Sequence, residues 1–367
     1  YEINGTITLT GSINLNNAYV AGLDANEDVL SFPGGTVFAG NTGGSIRNIT
    51  IKGARAFNIT GPGISTNSSL LVQNTIIDGM TTDVGNISGL GLYFGNIVQF
   101  INNKGGISYS NIGNLLLNNQ AWFASNQGTF ETYTGTFGLI EKVSGFSTVP
   151  NGATGFDVST TGLTVGTGVL LGTVFSGAGT YVKPYPATST YPGYNFSNAW
   201  SVNCPGIPRE ADDAATGDAY LTASAATSFT GSGNNANSRK KLNGPTTSVN
   251  LFRFDNGNPP ENNKIYYRGN KPRFFQVVSS LSFEPADIST YIFFIAVNGA
   301  IVEQTKVFTR PDVSNGIFTS QNPGINNITI VGNVSLKNGD YVEVWAQRDT
   351  GSGTTSINTI SLNLSIR

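Results

Sequence analysis

The chain has 367 residues, 20 of them basic and 22 acidic, with no histidine and a single cysteine. The missing histidine excludes Ser-His and Cys-His nucleophiles and the commonest zinc sites; the lone Cys204 excludes an intrachain disulfide. Near-neutral charge gives no field to hold a nucleic acid, and the length exceeds what one hydrophobic core usually supports, so two units are expected.

Composition points to an all-β chain. Only 11% of residues are charged, 46 are Gly, and Val, Ile, Tyr and Phe alternate with polar residues and turn formers. No long amphipathic helix pattern stands out, and no apolar run reaches the ~18 residues that span a bilayer, so membrane insertion is not expected. The chain begins at Tyr1 with no signal-like segment, so it is expected to be processed or truncated.

Between about residue 45 and residue 120 a short phrase recurs: Asn48-Ile-Thr-Ile-Lys-Gly53, Asn74-Thr-Ile-Ile-Asp-Gly79, Asn96-Ile-Val-Gln-Phe-Ile101 and Asn114-Leu-Leu-Leu-Asn-Asn119. The starts lie 26, 22 and 18 residues apart, a period that suits the coils of a parallel β-helix. Asn at the strand edge bonds from coil to coil and tolerates a left-handed turn. Asn48-Ile-Thr50, Asn58-Ile-Thr60 and Asn86-Ile-Ser88 match the glycosylation triplet, but they fall on expected strands and read as structural. The rhythm loosens through Gly138–Val143, Gly155–Val158 and Gly168–Phe175. A solenoid is therefore expected over residues 1–180.

From 181 to 215 Tyr and Pro crowd the sequence, with Pro184, Pro186 and Pro192 removing ladder donors, so this stretch reads as a connector. Arg239-Lys240-Lys241 reads as a solvated turn and Cys204 as inert. Over 216–367 alternating strands separated by turn signals predict an antiparallel sandwich. Asn298-Gly299 predicts a type I′ hairpin turn after Tyr291–Val297, and Lys337-Asn-Gly-Asp340 a second turn. In the last strand Ile360, Leu362, Leu364 and Ile366 are expected on one face.

Val334-Ser-Leu-Lys-Asn-Gly-Asp-Tyr-Val-Glu-Val344, with the Val297–Ala300 hairpin before it and the alternating strand after it, resembles the jelly roll of the tumour-necrosis-factor and complement-head family. The resemblance covers 216–367 and implies a homotrimer. The first half is similar to the β-helical shafts of bacteriophage tail spikes and head fibres. Together they imply a virion-surface protein that meets other virion proteins, itself, and a glycan or protein of the host.

Such shafts also carry enzymes, so carboxylate pairs matter: glycosidases hold two carboxylates ~5 to 9.5 Å apart. The candidates are Asp78, Asp83, Glu131, Glu141 and Asp157, each with the plain reading of a turn or strand-edge residue. Asp212, Asp213 and Asp218 form the densest acidic group and read as a surface loop, so neither a metal nor a cofactor is expected. The preferred expectation is a non-enzymatic attachment protein that binds through head loops, with Arg310, Asp312, Asn315, Asp349 and Thr350 as candidates. A polysaccharide depolymerase and a purely structural capsid decoration are the alternatives.

Overall fold

The computed structural model describes residues 1–186, 191, 193–231, 233, 238–311 and 323–367. It divides into two units, one made of Tyr1–Thr190 and Tyr194–Ala211, the other of Tyr191–Gly193 and Asp212–Arg367. Among the described residues there is no α-helix, and no helix is long and apolar enough to cross a membrane.

The first unit is a parallel β-solenoid. Ala21, Arg47, Gln73, Asn96, Asn118, Val143, Leu171 and Asn203 pair in one column, so consecutive coils take 26, 26, 23, 22, 25, 28 and 32 residues. Period-2 alternation builds the core: Leu70 and Val72, and Leu115 and Leu117, are buried, and Ile140 and Leu170 continue it on later coils. Aromatic rings stack along the same axis, with Trp122 lying 4.4 Å from Phe130 and Tyr133 lying 4.5 Å from Phe156.

One corner explains the recurring asparagines. The residue that follows six of the eight column positions, all but the first and the last, turns the chain with a positive φ: Asn48 at 54°, Asn74 at 46°, Ile97 at 55°, Asn119 at 50°, Ser144 at 61° and Gly172 at 65°. The Asn74 amide donates to Asn48 Oδ1 at 3.2 Å, and beside the corner Asn118 donates to Asn96 Oδ1 at 3.1 Å. The residue in register with Asn96 is thus Asn118 rather than Asn114, because this coil is 22 residues long.

Ile97 is the exception, a β-branched side chain in a left-handed corner. It is 45% exposed, so little burial offsets the roughly 1–2 kcal/mol of local strain. Ile97→Asn is expected to raise the unfolding free energy by about 1 kcal/mol and to join the amides above and below it. Urea unfolding of the whole chain measures this; an unchanged or lower midpoint removes the strain argument.

The solenoid runs further than expected. The Tyr- and Pro-rich stretch assigned to a connector holds two more strands, Thr180–Lys183 on Thr154–Asp157 and Trp200–Asn203 on Thr164–Leu171. Val182, Trp200 and Val202 are buried there, and their burial outweighs the proline signal. Cys204 closes the stretch, buried, with its thiol donating to the Leu170 carbonyl at 3.4 Å.

The second unit is an antiparallel sandwich. One sheet runs in the order Thr246–Phe252, Thr216–Leu221, Thr355–Ile366, Arg273–Pro285, Asn326–Leu336. The other runs Phe254–Asp255, Ile265–Tyr267, Tyr341–Arg348, Tyr291–Val297, Ala300–Ile301. After residue 225 most connections cross from one sheet to the other, which is jelly-roll connectivity. Phe275, Val277 and Phe283 from the first sheet meet Phe293, Ile295 and Val344 from the second in the core.

Asn298 and Gly299 both take positive φ, 52° and 75°, as the hairpin requires. In the last strand Leu362, Leu364 and Ile366 are buried, but Ile360 is 37% exposed. A bulge opposite Ser282 and Phe283 reverses the facing there and puts Thr359 inward instead. Arg239–Lys241 is a strand on Trp345–Gln347 rather than a solvated turn. Its Arg239 lies 5.3 Å from the Phe294 ring, which covers a ring that alternation alone leaves exposed.

Candidate functional site

Four of the five shaft carboxylates hold a cation. Asp78 pairs with Lys52 at 3.0 Å and accepts from the Asn102 amide at 3.0 Å. Asp83 takes a two-pronged contact from Arg55, at 2.7 and 2.6 Å. Asp157 accepts from Lys183 at 3.2 Å and from the Ser159 hydroxyl at 2.6 Å. Burial pushes the Asp157 carboxyl up, but the Ser159 and Lys183 hydrogen bonds outweigh it and hold the group below the usual carboxylate range. Glu141 stands half-buried on its strand, in register with Leu116 and Val169.

Glu131 is inside the solenoid. Its Oε1 accepts from Lys142 Nζ at 2.9 Å and its Oε2 from the Tyr133 hydroxyl at 2.9 Å, with both charged side chains at most 1% exposed. Lys142 also lies 4.9 Å from the Phe130 ring centroid. Burial pushes the Tyr109 and Tyr133 phenols well up, and the Glu131 charge adds to it. A carboxylate walled off in this way meets no external substrate, so Glu131 and Lys142 serve the core.

A different feature occupies the solenoid face that carries Asp83. Four consecutive coils bring Asn58-Ile59-Thr60, Asn86-Ile87-Ser88, Ser108-Tyr109-Ser110 and Thr132-Tyr133-Thr134 into one register. The central residue of each points inward and is buried, while the flanking pair faces out. Two columns of short polar groups result. Beside them Gly85 and Gly106 floor a depression of about 170 Å3 lined by Asp83, Asn86, Ser108 and Thr132. A Cβ on Gly85 would lie 1.9 Å from the Phe57 carbonyl oxygen, so the floor admits no side chain. The sequence displayed two of these phrases only as glycosylation triplets; the Ser-Tyr-Ser and Thr-Tyr-Thr phrases in line with them completed a signal that was legible but not read.

In the second unit Arg310, Asp349 and Thr350 lie at the end of the sandwich opposite Asp212, beside the start of Tyr291–Val297 and of Thr355–Ile366. Asp312 and Asn315 lie outside the described residues. Arg348 organises this end: Nε donates to Ser289 Oγ at 3.1 Å, Nη2 to Asp287 Oδ2 at 2.9 Å and Nη1 to the Gly353 carbonyl at 3.0 Å. Thr290 N–H donates to Thr350 Oγ1 and Asp349 N–H to the Thr290 carbonyl, each at 2.8 Å. Sequence reasoning missed Arg348, next to Asp349: it ends the strand Tyr341–Arg348, where Ala346, Gln347 and Arg348 are all buried, so alternation does not single it out. Among the described residues no group of three His, Cys, Asp or Glu is placed to hold a metal ion. Asp212 instead pairs with Arg253 at 2.9 Å, and Asp218 with Arg367 at 2.9 Å.

No family model and no curated protein matches the chain. Among solved structures, murine APRIL aligns with 40% of this chain and 98% of its own, at 12% identity and a TM-score of 0.22. The enzymatically active domain of tailspike protein 4 from bacteriophage CBA120 aligns with 98% of this chain, at 12% identity and a TM-score of 0.18. The chain spans about 63% of that domain's length. Likenesses this distant carry no argument about function.

Proposed function

We propose that the chain is a fibre or spike of a virus particle that attaches it to a cell through a trimeric head. The observation that carries attachment over cleavage is that Asp78, Asp83, Glu131 and Asp157 are each held by a cation, the Glu131 pair inside the core. A glycosidase needs one carboxyl kept protonated as an acid, and a close cation works against that. Incubation with polysaccharide of the host surface is therefore expected to leave its chains unshortened.

Assembly is supported by the outer face of the sheet that holds the last strand. Phe274 is 81% exposed there and Val331 52%, among Gln276, Ser280, Thr329 and Asn333, and the Asp218–Arg367 ion pair stands beside Gln276 on the same face. A sheet face of mostly uncharged residues with isolated apolar side chains suits a second and third copy of the chain, closing around a threefold axis. Phe294 and Trp345 do not serve this purpose: Arg239 and Lys306 cover the first, and the indole of the second donates to Glu343 at 2.9 Å. Light scattering at micromolar concentration is expected to report about three chains, and Phe274→Asp about one, since a charge buried without a partner opposes the contact. A stable wild-type monomer ends the trimer reading. The purified protein is also expected to compete with whole particles for adsorption.

A further inference from the structure

We propose that Asn151 is a self-modification site, an asparagine that turns into aspartate and isoaspartate by attack of the Gly152 backbone nitrogen on its side chain. The chain has seven Asn-Gly pairs, beginning at Asn4, Asn151, Asn243, Asn256, Asn298, Asn315 and Asn338, of which Asn315-Gly316 lies outside the described residues. Asn-Gly is the sequence in which this reaction meets least obstruction, since glycine puts no side chain beside the attacking nitrogen and its backbone moves most freely. What separates the six described pairs is how each is held.

In two pairs the attacking nitrogen is tied down: the Gly5 N–H donates to Asp28 Oδ1 at 2.7 Å and the Gly257 N–H to Asp255 Oδ1 at 2.9 Å. In two others the asparagine amide is fixed. Asn243 donates to the Ala226 carbonyl at 2.9 Å, and Asn298 donates to Asp340 Oδ1 at 2.8 Å while its oxygen accepts from the Tyr341 N–H at 3.0 Å. At Asn338 both groups are engaged, the amide with the Arg268 carbonyl at 2.9 Å and the Gly339 N–H with the Tyr267 carbonyl at 2.8 Å. Asn151 and Gly152 are exposed in the turn between Thr129–Thr148 and Thr154–Asp157, and among the described residues neither the Asn151 amide nor the Gly152 N–H makes a hydrogen bond. The turn is closed by the Ala153 N–H donating to the Pro150 carbonyl at 3.0 Å, which leaves both reacting groups free.

The Gly152 nitrogen gives up its proton and bonds to Asn151 Cγ; the Cγ–Nδ2 bond breaks and ammonia leaves with that proton, which closes a cyclic imide. Water then opens the ring. Addition at the side-chain carbonyl gives aspartate, and addition at the backbone carbonyl gives isoaspartate, whose main chain is one methylene longer. Beside this turn the coils stack tightly: Val149 and Ala153 are buried, and the Gly179 N–H donates to the Val149 carbonyl and the Thr180 N–H to the Ala153 carbonyl, each at 2.9 Å. A Cβ on Gly177 would lie 2.3 Å from the Val149 oxygen, so the next coil has no slack there. A longer main chain between Pro150 and Ala153 shifts these carbonyls against the coil that bonds to them, and the modification loosens the solenoid at this corner.

The test uses the full chain, aged at mildly alkaline pH, with peptide mass mapping to follow each asparagine and enzymatic methylation to mark isoaspartate. Asn151 is expected to convert about ten times faster than Asn4, Asn243, Asn256, Asn298 and Asn338, the factor by which one net hydrogen bond slows a step that has to break it. Asp255→Ala frees the Gly257 N–H and is expected to raise conversion at Asn256 towards that at Asn151, a reciprocal check made away from the turn. Aged natural chain is expected to unfold at lower urea than fresh chain, and Asn151→Gln, whose longer side chain disfavours the ring, to lose most of that difference. Conversion at Asn151 no faster than at the five held sites, or a rate at Asn256 that Asp255→Ala leaves unchanged, overturns the proposal. A converted chain with an unchanged urea midpoint overturns the loosening of the corner.

Discussion

Lys142→Met is expected to destabilise the solenoid by about 3–5 kcal/mol, the loss that follows when one member of a fully buried ion pair is removed. The reason is Glu131. With both side chains at most 1% exposed, removing the ammonium leaves a carboxylate in a pocket walled by Phe130 and Tyr133, with the Tyr133 hydroxyl as its remaining polar contact in this cluster. The carboxylate then stays charged at high cost or takes up a proton. The double variant Glu131→Gln with Lys142→Met is expected to recover most of the loss. Gln still accepts from Tyr133, and two neutral groups need no counter-ion. A urea titration of the four members of this cycle gives the coupling energy. If Lys142→Met alone unfolds within about 1 kcal/mol of the natural chain, the pair is not what it costs to keep that pocket closed.

The same pair marks the boundary of what the sequence makes legible. Parity was available: Ile140 and Lys142 stand two apart on one strand, and the burial of Ile140 already implies that Lys142 points inward. For Glu131 the sign was divided: the buried Tyr133 two residues on puts it inward, while the buried Phe130 immediately before it puts it outward. The solenoid and the jelly roll were readable from local patterns, since alternation and turn residues act within a few positions. Registers were not, because coils of 22 to 32 residues move the matching residue along the chain by amounts that only stacking sets. Hence Asn114 stood in for Asn118. Ile97 and Ser144 occupy the corner column although neither favours a left-handed φ: the coils on either side impose it. The Tyr- and Pro-rich stretch failed for the opposite reason, its local signal being strong and overruled by the burial of Trp200 and Val202. In the sandwich, alternation puts one ring of the consecutive Phe293 and Phe294 on the outer face, but nothing local points to Arg239, 55 residues earlier, as the side chain that covers Phe294.

Arg348→Met is expected to cost about 2–4 kcal/mol and to abolish competition for adsorption while leaving the assembly state unchanged. The guanidinium is 5% exposed and its three nitrogens tie Asp287, Ser289 and Gly353 together, which fixes the loops that carry Thr290, Asp349 and Thr350. Phe274 lies on the sheet face, near the other end of its strand, so loosening these loops leaves the proposed trimer contact alone. Arg348→Lys is not expected to rescue, because a single ammonium cannot reproduce a planar fork with three acceptors. The same end sets a pH dependence. Burial raises the Asp287 carboxyl, but the Ser289 N–H and the Tyr291 hydroxyl outweigh it and hold its pKa below the usual 3.8. A folded-state value below the unfolded one means stability that is complete above pH 3.8 and is lost as pH falls through the folded value. Adsorption competition is therefore expected to hold from neutral pH down to about pH 5 and to fail only below about pH 4, together with the order of this end. Loss of competition near pH 6, with Arg348→Met still competing at neutral pH, would place recognition away from these loops.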